Sequence, residues 1–99
     1  MSKLRGITHD GHKGYHFWCP GCGYHHMYLV EGPLKWDFNN DMEKPTFHPS
    51  LLTDGHRPER RCHLFVTNGK IHFCGDCFHE LKGKVVDMVE MDDETGAPK

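Results

Sequence analysis

Apolar and polar positions alternate with a period of two in two neighbouring stretches, Cys62 to Thr67 and Lys70 to Cys74, joined by Asn68-Gly69. Asn-Gly is the pair best suited to a type I′ turn, so these stretches predict a tight antiparallel hairpin. A two-residue turn sets Thr67 opposite Lys70, Val66 opposite Ile71, Phe65 opposite His72, Leu64 opposite Phe73 and His63 opposite Cys74. Leu64, Val66, Ile71 and Phe73 then form an apolar face, while His63, His72 and Cys74 share the other with Phe65. Tyr15 to Trp18 and Tyr24 to Val30, rich in aromatic and branched residues, predict a second hairpin turning at Cys19-Pro-Gly-Cys22.

Elsewhere the pattern is shorter. Trp36-Asp37-Phe38 alternates, with both aromatics expected in the core, before the turn signal Asn39-Asn40-Asp41. Lys44 to Leu52 is held extended by Pro45 and Pro49, as an edge strand or ordered loop. Thr53 to Arg61 is a polar, mobile loop, Phe78 to Lys82 a single helical turn, and Val85 to Met91 a last strand. The expected fold is mainly β, a small antiparallel sheet of hairpins with zinc knuckles and little helix. One domain spans residues 15–91, between a flexible arm at 1–14 and a disordered acidic tail at 92–99.

The two Cys-x-x-Cys pairs change this picture from a plain sheet to a metal-binding one. Cys19-Pro-Gly-Cys22 and Cys74-Gly-Asp-Cys77 can each present two thiolates from one turn, and together they complete a tetrahedral Zn2+ site. Cys19, Cys22, Cys74 and Cys77 are therefore the preferred ligands. An alternative set takes Cys19 and Cys22 with Cys77 and either His79 or His26, leaving Cys74 as a packed thiol. With 99 residues, 36% of them hydrophobic, the core is small. A structural zinc contributing on the order of 10 kcal/mol would match the net stability of such a domain.

Thiol, imidazole and carboxylate groups also gather around Arg61-Cys62-His63 and Asp76-Cys77-Phe78-His79-Glu80. A second zinc held by His63, His79 and either Cys62 or Asp76, with one position open, would acidify a bound water for attack on a carbonyl. Glu80 would then be the general base, and His63, Asp76, His79 and Glu80 the catalytic candidates. The plainer reading makes Cys62 a small buried residue, His63 and His79 edge residues, and Glu80 a solvated carboxylate. His48 and Ser50, two apart in an extended segment, share a face like a base and a nucleophile. No oxyanion-forming glycine loop accompanies them, and Ser50 after proline reads first as a strand end.

Five cysteines, an odd number, and the lack of an apolar run suited to export or membrane spanning point to a reducing cytoplasm and away from disulfides. The formal charge of -2 leaves no broad phosphate-binding face. Nucleic acid is thus a minor partner class. It would rest on Trp18, Tyr24, Tyr28 and Phe47 stacking bases beside Arg57, Arg60 and Arg61.

Cys-Pro-Gly-Cys-Gly with His26, Trp36-Asp37-Phe38-Asn39, Pro45-Thr46-Phe47-His48-Pro49-Ser50, Cys62-His63-Leu64-Phe65-Val66 and Asp76-Cys77-Phe78-His79-Glu80 together resemble a family of small bacterial and phage proteins. That family is described as of unknown function and sometimes as ammonia monooxygenase. The resemblance runs over about residues 15 to 90. It implies zinc binding, with Cys19, Cys22, His26, Cys62, His63, Cys77 and His79 as the potential metal set. Some relatives stand beside bacterial ubiquitin-like conjugation genes, which implies a peptidase or deconjugating role. A monooxygenase of the membrane copper type would need spans that this chain lacks.

Two functional expectations follow. The first is a zinc-stabilised β scaffold acting as a protein-interaction module, binding a host factor where the gene is phage-borne. The second is a small zinc-dependent hydrolase of peptidase type working at His63, Asp76, Cys77 and His79.

Overall fold

The computed structural model describes residues 2–99, and among them every regular element is a β-strand. Strands β1 (Arg5–His9), β2 (His12–Cys19) and β3 (Tyr24–Leu29) form one antiparallel sheet in that order. Strands β4 (Asp37–Phe38), β5 (Phe47–Thr53), β6 (Cys62–Thr67), β7 (Lys70–Phe73) and β8 (Val85–Asp87) form a second, five-stranded antiparallel meander. The mainly β, hairpin-built expectation is met.

The Asn68-Gly69 hairpin forms in the expected register, with Thr67 opposite Lys70 and Leu64 opposite Phe73. Both turn residues take positive φ, 51° and 77°, as a type I′ turn requires. Leu64, Val66, Ile71 and Phe73 are buried, while Phe65 and His72 stack on the outer face with centroids 4.6 Å apart. The Cys19 to Cys22 turn likewise closes β2 onto β3, Cys19 opposite Tyr24.

Aromatic stacking joins the two sheets. Tyr28 of β3 lies flat on Phe47 of β5, centroids 4.1 Å apart and planes 1° from parallel, and Phe38 continues the stack at 4.5 Å. Leu4, Phe17, Leu51, Leu64 and Met88 pack into the same core. Trp36 and Phe38 are half-buried against it. Tyr28 and Phe47 are 0% exposed, which removes two of the four aromatics on which a base-stacking surface would rest.

The ends differ from expectation. Residues 5–9, part of the expected arm, pair along β2 as strand β1, because His12 to Tyr15 offer a free edge and Leu4 drops into the core; Met1 lies outside the described residues. The last strand is shorter than 85–91, and Met91 makes bridges to Ser2 and Pro98 instead. Residues 92–99, expected to be disordered, fold back through an Asp92 turn, with Asp92 N–H on the Ala97 carbonyl and Gly96 N–H on the Asp92 carbonyl. Residues 78–82 form turns and no helix.

Candidate functional site

On the open face of the second sheet, three side chains form a chain of hydrogen bonds. Ser50 Oγ lies 3.0 Å from His63 Nε2, and His63 Nδ1 lies 3.3 Å from each carboxylate oxygen of Asp76. Ser50 and Asp76 are exposed and His63 is half-buried, so the hydroxyl end faces solvent.

Each member is placed by its strand. His63 stands on the outward face of β6, flanked by buried Cys62 and Leu64. Its peptide is clamped: the His63 carbonyl accepts from Cys74 N–H at 2.9 Å and from the Cys77 thiol at 3.1 Å, and its N–H reaches Cys77 Sγ at 3.4 Å. The Cys74 to Cys77 turn is thereby fastened to His63's own backbone, and Asp76, inside that turn, meets the ring. Ser50 lies on β5, where the pairing with β6 slips between Phe47 and Leu51. Below the slip Leu52 is opposite His63, so Ser50 is its diagonal neighbour on the same face. His48 instead pairs with Asp37 of β4 and is exposed.

The cysteines divide differently from the preferred expectation. Cys19, Cys22, His26 and Cys62 bring ligand atoms within 4.8 Å of one another, and Cys62, Cys77 and His79 form an adjoining group. Cys74 falls elsewhere, with His63 and Asp76. Cys19 and Cys62 sulfurs are 4.0 Å apart, close to the about 3.8 Å edge of a tetrahedral zinc–thiolate site. His79 Nε2 lies 3.5 Å from Cys62 Sγ, with its ring against the Gly21 backbone so closely that a β-carbon there would collide. His79 thus belongs to the buried thiol cluster rather than to the face bearing His63, and Glu80 beside it is exposed.

In this cluster one thiol is lowered and its two neighbours are raised. A hydrogen bond with Cys62 holds the Cys19 thiol down at about 4, against its own desolvation. Cys62 is driven upward by facing Cys19 and by burial, and burial raises Cys22 to about 11. Cys74 is also raised, by burial first and then by the charge of Asp76. Within the same pocket His26 Nε2 is buried without a hydrogen-bond partner. An orphaned imidazole nitrogen amid three thiols is a donor set that could hold a metal ion.

Family comparison bears on the outer face. Residues 2–74 match the family of bacterial ubiquitination-like system serine proteases, BubE. The chain belongs to the BubE family. The match includes Ser50, His63 and the cysteines of the buried cluster other than Cys77, and it ends two residues before Asp76. Comparison with curated proteins and with solved structures gave no match. The BubE description accords with the peptidase implied by the earlier resemblance and names neither zinc nor a monooxygenase. Among the described residues no helix is long and apolar enough to cross a membrane.

Sequence reasoning placed His63 and Asp76 among the candidates and set Ser50 beside His48, whereas the structure sets the Ser50 hydroxyl against His63. A usable signal was present in the hairpin register, which already set His63 on a solvent face. Any strand pairing with the free side of β6 would bring its outward polar residues to that ring.

Proposed function

We propose that this BubE family member is a serine peptidase acting on a protein of a ubiquitin-like system, with Ser50 as nucleophile, His63 as general base and acid, and Asp76 as the group that orients His63. The observation carrying this reading is the unbroken Ser50–His63–Asp76 chain of contacts. A zinc hydrolase using His63 with His79 is disfavoured by the separation of those two rings onto opposite faces of β6.

In the acylation step the Ser50 oxygen attacks the substrate carbonyl carbon while its proton passes to His63 Nε2. Asp76 accepts the Nδ1–H hydrogen bond, fixing the tautomer that leaves Nε2 free and stabilising the imidazolium that forms. Collapse of the tetrahedral adduct breaks the carbon–nitrogen bond, and the leaving amine takes the proton from Nε2. Water then attacks the Ser50 ester, His63 receives its proton, and the carboxylic acid is released with Ser50 restored.

A fluorophosphonate probe tests this. It should attach covalently to Ser50, located by mass spectrometry of the digested adduct. Ser50→Ala should lose both labelling and hydrolysis, with kcat down about 10⁴-fold or more. Labelling of wild type and Ser50→Ala alike would sink the reading.

Metal enters as structure in this proposal. Cys19, Cys22, Cys62 and His26 would hold a Zn2+ ion, with Cys77 and His79 packed against it. The ion would supply a cross-link between β2–β3 and β6, neutralise the thiolates and satisfy His26 Nε2.

A further inference from the structure

Resting on Ser50 as nucleophile, we propose that the substrate binds as an extended segment added to the outer edge of β5, pairing with the main chain of Leu52 and seating a large apolar side chain in the adjoining cavity. The argument begins at His63. Its N–H and C=O both point toward the Cys74–Cys77 turn and away from β5. Leu52, opposite it, therefore sits in a non-hydrogen-bonded pair and turns its own N–H and C=O to the other side of β5. On that side β4 pairs with Phe47 and His48 alone and goes no further. Beyond it Trp36 closes the edge at one point, its indole N–H donating to the Ser50 carbonyl at 3.3 Å. Among the described residues Leu52 is left as an open donor–acceptor pair two residues, about 7 Å, along the same edge from Ser50. A guest strand hydrogen-bonded there is led to the nucleophile.

The cavity gives the specificity. A space of about 370 Å³, with Met27, Leu29, Leu34, Trp36 and Leu51 among its lining residues, opens beside this edge. Leu51 points to the opposite face from Leu52, so alternate side chains of an added strand enter this space while the others lie with Ser50 and Leu52. Leu34, 74% exposed, stands at its mouth without a neighbour to cover it. A leucine, methionine or aromatic side chain of the substrate would bury itself against these residues, removing apolar surface from water on both sides. The substrate class is thus an unfolded or flexible peptide segment with a large apolar residue within two positions of the cut bond, rather than a folded surface.

The experiment uses the full chain on a library of proteome-derived peptides, with cut sites read by mass spectrometry and Ser50 labelling by fluorophosphonate run in parallel. Leu, Met or Phe should be enriched at one position within two residues of the cut. Leu34→Asp should shift that preference toward Lys or Arg by about tenfold or more in the ratio of kcat/KM values, a ratio that a loss of folded protein does not move. Replacing the peptide amide nitrogens one at a time by N-methyl should weaken cleavage at the position pairing with Leu52. Labelling with no apolar preference, or an unchanged ratio in Leu34→Asp, overturns this inference and leaves Ser50 standing. Absence of both labelling and cleavage overturns the peptidase reading and this inference with it.

Discussion

At the scale of single residues, what separates Ser50 from Ser2 and His63 from the other nine histidines is a pair of contacts, 3.0 Å on one ring nitrogen and 3.3 Å on the other. The carboxylate matters for its orientation, so Asp76→Asn, which can hold the imidazole in the wrong tautomer, should cut kcat by about 10³- to 10⁴-fold while leaving the fold intact. His48→Ala should leave kcat within about twofold, because the Ser50 hydroxyl is hydrogen-bonded to His63, while His48 lies across the strand pair from Asp37. Steady-state kinetics on one peptide decides both. Equal losses in the two variants would place the base at His48 and return the His48–Ser50 pairing that the bare sequence suggests.

At the scale of elements, the hairpins were legible because their information is local. Alternation and Asn68-Gly69 set the register of β6 on β7 residue by residue. The candidate site was legible only where it rode on that hairpin, as His63 and Asp76 do. Ser50 was obscured by the register slip between Phe47 and Leu51, which breaks the rule that residues two apart meet the same partners. The Cys74-Gly-Asp-Cys77 turn carries the spacing of a zinc knuckle, yet its sulfur and amide groups engage the His63 peptide and its aspartate meets the His63 ring. Spacing alone does not distinguish these uses. The C-terminal turn offers a test of its own: Asp92 accepts from the N–H groups of Glu94 and Thr95, which hold its carboxyl below the usual range. A lowered pKa in the folded state stabilises the turn above the ordinary carboxylate pKa and withdraws that support as pH falls through the lowered value. Amide exchange at Glu94 and Thr95 should therefore rise below about pH 4, ahead of exchange in β6.

At the scale of the whole molecule, the two sheets meet through the Tyr28–Phe47 stack on one side and the buried thiol cluster on the other. The cluster draws on β2, the turn before β3, β3 and β6, so an ion held there ties the first sheet to the second. Native mass spectrometry of protein purified without added metal should show a single zinc per chain, and Cys62→Ser should lose it together with several degrees of melting temperature. Cys74→Ser should retain it. Loss of zinc from the Cys74 variant instead would restore the four-thiolate arrangement that the two Cys-x-x-Cys spacings suggest.

Cys62 and His63 are consecutive, and they point to opposite sides of one strand. The inward neighbour belongs to the buried thiol cluster between the sheets, the outward one to the hydroxyl and carboxylate above. Sliding β6 by one position would carry either Arg61 or His63 into the place of Cys62 among the thiols, and either Cys62 or Leu64 into the place of His63 beside Ser50, losing both arrangements in a single stroke. Single-residue insertions and deletions are thus barred from this strand by two independent constraints acting on neighbouring letters.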